Sequence, residues 1–157
     1  MHALSVSILS QKCRSLSVNM LLDMLNDECT NHIHEYLPFY TSCNESLFDA
    51  QKRDYITKGI YNTNFGDIVP LIMSCALKND IHIIEKQGSS DHICHKIKTQ
   101  SRGPSTFADP LPLMVYKSGE HYDAITELEP SDEISDSAYI LFYKLSNHRW
   151  VSSVNMI

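Results

Sequence analysis

His121 and Asp123 are the residues whose types and spacing best suit chemistry in this chain. They stand in KSGEHYDAI, residues 117–125, where Gly119 marks a turn and the residues after it read as a strand. Side chains two apart on a strand project from the same side, which would bring an imidazole and a carboxylate together. One ring nitrogen could then take a proton while the carboxylate holds the other ring N–H and fixes the tautomer. Such a pair is suited to activating a nucleophile, and the two residues by themselves leave its kind open. A His two residues from an Asp is also a common surface pair, so the reading depends on the elements that position it.

Those elements follow from apolar spacing. Ala3, Leu4, Val6, Ile8 and Leu9 read as a first helix. Val18, Leu21, Leu22, Leu25 and Cys29 recur at helical spacing in a second, with Ser15 or Ser17 as cap and Pro38 as its limit. A third runs from about Asn44 to Thr57, with Leu47, Phe48, Tyr55 and Ile56 apolar. NFGD is expected to turn, and Asp67 to cap a fourth helix, IVPLIMSCALK, in which Pro70 sits within the first turn. IHII at 81–84 reads as a buried strand, residues 85–110 as an irregular loop, and PLMVYK and HYDAITEL as a hairpin turning at Gly119. AYILFYKL fits a strand or a short helix.

This order of helices, FGD, apolar strand, variable loop and closing hairpin resembles the OTU family of cysteine deubiquitinases, within the papain-like cysteine protease group. The likeness is carried by Phe65, Gly66 and Asp67 ahead of DIHII, by PLMVYKSGEHYDAI, and by HALSVSI, which is similar to the helix that follows the family's nucleophile. It spans about residues 2–126, leaving 127–157 as a C-terminal extension of a single domain, residues 1–157. The resemblance implies an α/β fold with a small mixed sheet sandwiched between helices. It further implies His121 as general base, Asp123 as its orienter, and ubiquitin or a ubiquitinated protein as partner. The family calls for Asp-Gly-x-Cys just before the first helix, and here Met1 stands where residues after that cysteine belong. The expectation is therefore a chain without its nucleophile, inactive as it stands, either as a truncated product or as a protein that no longer cleaves. A non-catalytic module that grips ubiquitin or another protein is the alternative.

None of the five cysteines is expected to substitute. Cys13, between Lys12 and Arg14 and ahead of a helix, has the surroundings that favour thiolate. A helix over residues 2–10, rising about 1.5 Å per residue, would still hold it on the order of 15 Å from the start of the first helix. An imidazole must come within roughly 3 Å to take its proton. Cys29 and Cys75 fall on apolar helix faces and read as core, and Cys43 precedes the third helix. His92, Cys94 and His95, like Cys29, His32 and His34, lack the spacing of a four-ligand zinc site, so neither metal nor cofactor is expected.

Composition narrows the classes further. A chain of 157 residues, 43% hydrophobic and 20% charged, has the make-up of one globular domain. A net charge of -6 gives no footprint for phosphate backbones, which argues against nucleic acid. No apolar run approaches the roughly 20 residues of a membrane span. The start lacks a basic leading segment and a small-residue cleavage site, and the odd cysteine count suits free thiols; both point to a cytoplasmic protein. Glu127, Glu129, Asp132, Glu133 and Asp136 are expected to form a solvated acidic loop.

Overall fold

Helix α1 spans His2–Lys12 and α2 spans Val18–Tyr36 in this computed structural model. Ser17 starts α2 by accepting the Met20 N–H at its hydroxyl, 3.2 Å away, and so satisfies one of the donors a helix start leaves open. The apolar spacing becomes a buried face of Leu21, Leu25, Cys29 and Tyr36, and a short 3₁₀ turn at Leu37–Phe39, containing Pro38, ends the helix. Asn44 caps α3, Glu45–Lys58, which Gly59 closes at a φ of 66°. The structure describes residues 1–87, 91–100, 103–109, 111–119, 121–130, 138–145 and 150–156; side chains are described through residue 126, except those of residues 87, 91 and 121.

The NFGD stretch differs from expectation. Thr63–Gly66 forms a single helical turn, α4, and Asp67 closes that turn instead of capping the next helix. Helix α5, Val69–Ala76, starts from Ile68 with no side-chain cap, and Pro70 lies in its first turn as anticipated. The Asp67 carboxylate instead accepts a hydrogen bond from the Tyr61 hydroxyl at 3.0 Å.

The sheet is mixed. Strand β1, Ile81–Gln87, pairs antiparallel with β2, Asp91–Ile97, and parallel with β3, Leu113–Ser118. Gly119, at a φ of 60°, turns β3 into β4, His121–Pro130. Strands β5, Ala138–Leu145, and β6, Trp150–Met156, complete the order β2-β1-β3-β4-β5-β6. AYILFYKL is thus a strand. The expected loop over 85–110 is interrupted by the end of β1 and by all of β2, and β4 carries Glu127 and Glu129 into the stretch read as an acidic loop. Asp132, Glu133 and Asp136 lie outside the described residues, as does the Trp150 side chain.

Helices and sheet meet on one face. Leu4, Ile8, Leu25, Phe48, Phe65 and Ile72 share a buried cluster with Ile81, Ile83, Leu113 and Val115. The other face buries Ile84, Met114, Tyr116 and Ile125, all strand residues. Among the described residues the sheet therefore has helices on one side, a departure from the sandwiched sheet that the resemblance implies. The coarser expectation, α/β with a small mixed sheet, matches what is seen.

Helix α1 is stitched into this sheet. The register of β3 with β4 runs from Val115 opposite Ala124 to Ser118 opposite His121. Beyond Ala124 the side-chain amide of Gln11 fills the space between the strands: its oxygen accepts the Met114 N–H, and its nitrogen donates to the carbonyls of Met114 and Ile125, each at 2.8 Å. Ser7 accepts the Ile125 N–H at 3.1 Å, and the Ser10 hydroxyl donates to the Thr126 carbonyl. At the far end of α1 the Lys12 ammonium donates to the carbonyls of Asp109 and Leu111 and to the Asp109 carboxylate.

Candidate functional site

These stitches align α1 with β4 from their starts: Met1 and His2 share a cleft with Tyr122, Ser7 meets Ile125, and Ser10 meets Thr126. The cleft has a volume of about 290 Å³. Its floor is Ile81, Ile83 and Val115 from the sheet, and its sides are Leu4 of α1, Tyr55 of α3 and Val69 and Met73 of α5. Tyr61 and Gly66 close one edge. Burial raises the phenol pKa of Tyr55 and of Tyr122, and Tyr61 is raised by burial first and then by its bond to Asp67. All three stay neutral donors near neutral pH.

At the rim, Glu85 bridges two strands. Its carboxylate lies 3.2 Å from the Lys117 ammonium and 3.0 Å from Nε2 of His95. The hydrogen bond from Lys117 holds the Glu85 carboxyl below its ordinary range, and His95 adds to the effect. Glu85 in turn raises Lys117. Sequence reading passed over this group. The signal was present, since the parallel register that sets IHII beside LMVY also sets Glu85 opposite Lys117.

The sequence-derived pair sits at the same end of the molecule. His121 is the first residue of β4, with its backbone opposite Ser118; its side chain is outside the described residues. Asp123 lies opposite Tyr116 and is half-buried. Alternation along β4 sets Asp123 on the face of Tyr116 and Met114, whereas Tyr122 packs with the helices and lines the cleft. The start of α1 and the carboxylate of Asp123 thus belong to different faces at one end of the sheet.

The thiols lie elsewhere. Cys13 closes α1 at a φ of 51°, at the opposite end from the cleft, and is exposed. Cys29 and Cys75 are buried in the core, and burial pushes the Cys29 thiol up to about 12. Cys43 is exposed ahead of α3, and Cys94, on β2, is raised by burial. None of the five lines the cleft. Among the described residues no three His, Cys, Asp or Glu side chains converge as metal ligands would.

No described helix is long and apolar enough to cross a membrane. Comparison with known proteins finds no family model, no curated protein and no solved structure that matches this chain.

Proposed function

We propose that this chain is an OTU-type domain directed at ubiquitin, built for cysteine isopeptidase chemistry but carrying no thiol where that chemistry needs one. The observation behind this reading is that α1 and β4 start side by side and enclose an apolar cleft at their shared end. In such chemistry His121 takes the proton of a thiol, the thiolate attacks the isopeptide carbonyl, and the imidazolium returns the proton to the departing lysine amine. Water then hydrolyses the thioester. Asp123 is the orienter of the imidazole in this scheme, and ubiquitin, through an extended segment lying in the cleft, is the partner.

A second reading is favoured by two observations: Asp123 faces away from the cleft, and no cysteine lines it. In that reading the domain binds ubiquitin without cutting it, since affinity depends on buried anchors and not on reacting atoms. Two measurements separate the readings. A ubiquitin carrying a cysteine-reactive terminus should leave the polypeptide unlabelled, and labelling at any of its five cysteines would overturn the missing-thiol argument. Titration with mono- and di-ubiquitin should show binding at micromolar concentrations; its absence there would remove both readings.

A further inference from the structure

The cleft is lined largely by core residues, and Tyr61 stands at its edge together with the exposed His2 and the half-buried Pro70. The Tyr61 side chain is 49% exposed, yet it lines the cleft. It lies so close over Gly66 that a Cβ at that position would come within 2.2 Å of the ring. Its hydroxyl donates to the Asp67 carboxylate at 3.0 Å. The segment that bears it is short: Gly59, in a left-handed conformation with open space around it, leads through the exposed Ile60 to Tyr61 and then to the cap of α4. Two features thus hold the ring in place, a residue with no side chain beneath it and one hydrogen bond at its tip. They also explain Gly66 and Asp67 physically, because the Asp67 carboxylate starts no helix and any larger residue at 66 would displace the ring.

We propose that Tyr61 is the specificity-determining residue of the cleft: a side-chain lid, seated on Gly66 and latched by Asp67, that must swing aside for an apolar or aromatic ligand group to reach Ile81, Ile83 and Val115. The proposal rests on the cleft being the binding site described above and names what limits entry to it. A latched lid lowers apparent affinity by the fraction of time it stands open, so removing it strengthens binding without adding a contact.

Indole is a suitable probe, with methyl NMR of Ile81, Ile83 and Val115 in the full chain as the readout. If the lid is open about a fifth of the time, Tyr61→Ala should bind indole about fivefold more tightly than the parent. Tyr61→Phe keeps the ring and loses the latch, so it should exchange indole faster with a smaller gain in affinity. Asp67→Asn retains an oxygen that accepts the phenol proton and should stay close to the parent. Gly66→Ala should follow Tyr61→Ala; if that variant fails to fold, Tyr61→Ala, altered at a half-exposed position, still decides. Equal indole affinity in Tyr61→Ala and the parent, or no response at these methyls in any variant, overturns the proposal. Mono-ubiquitin binding by the parent is measured alongside. Failure there with a positive indole result removes the ubiquitin reading and leaves the lid, and the reverse outcome removes the lid alone.

Discussion

Gln11 shows how much one side chain can decide. Its amide replaces strand pairing for the N–H and carbonyl of Met114 and the carbonyl of Ile125, groups that would otherwise be left without partners at a part-buried site. Gln11→Ala should therefore lower stability by about 2 to 4 kcal/mol, measured by urea unfolding, because each orphaned polar group carries a desolvation cost. Gln11→Glu should be worse near neutral pH, since its second oxygen would face two carbonyls, and the difference should shrink as acidification protonates the new carboxyl. Equal stabilities for the Ala and Glu variants across that range would contradict this account. Cys29 offers a second residue-level test. Burial raises its thiol from an ordinary 9.0 to about 12, so the folded state keeps a proton that the unfolded state releases. Its contribution is full below 9.0 and is lost as pH rises toward 12; stability should fall over that window, and Cys29→Ala should flatten the slope.

At the scale of elements, the β3–β4 hairpin borders the cleft and the strap after β2 holds the opposite end of α1. Gly119 turns the hairpin at a φ of 60° with no atom within 4 Å of a would-be Cβ, so Gly119→Ala meets backbone strain and no clash. The expected loss is about 1 kcal/mol, and Gly119→Asn should recover part of it because Asn tolerates the left-handed region. Residues 103–109 and 111–112 are fastened to α1 through Lys12, whose side chain is almost wholly enclosed, and to the segment just after it through Arg14, which donates to the Thr106 carbonyl at 2.8 Å. The Asp109 carboxyl is held below its ordinary range, first by the Leu111 N–H and then by Lys12. A depressed pKa stabilises the fold above the unfolded value, and that contribution disappears as pH falls through the folded value. The acid limb of a stability profile should accordingly flatten in Asp109→Asn, and an unchanged limb would show that the strap is held by other contacts.

For the whole molecule, the distribution of thiols predicts reactivity. Cys13 and Cys43 are exposed, whereas Cys29 and Cys75 are buried. A disulfide reagent added to native protein should label the exposed pair rapidly and reach the buried pair only after denaturant. Rapid labelling of four or five thiols would mean that the packed arrangement of α2 and α5 is wrong. The same arrangement underlies the prediction that ubiquitin's reactive probe finds no target, because the cleft at the start of α1 is lined by aliphatic, thioether, phenol and imidazole groups and, among the described residues, by no thiol.

How much was legible in advance differs by type of signal. The helices with one apolar face, α2 and α3, and the buried strands β1 and β3 were readable, since burial on a regular period leaves its imprint in the residue pattern. Strand β2 was not: it lies at an edge, its described side chains are half-buried or exposed, and its alternation was too weak to stand out from a loop. The cap assigned to Asp67 failed because a carboxylate before an apolar run has the same local appearance whether it serves a helix start or a tyrosine six residues back. By itself the sequence determined the helix-then-strand order, the turn at Gly119 and the adjacency of His121 and Asp123 on one strand. Only the tertiary structure decided that Gln11 enters the sheet, that Asp123 turns from the cleft and that Tyr61 lines it. Those outcomes join residues far apart in the chain or depend on which face of the sheet the helices cover, and local pattern carries no record of either.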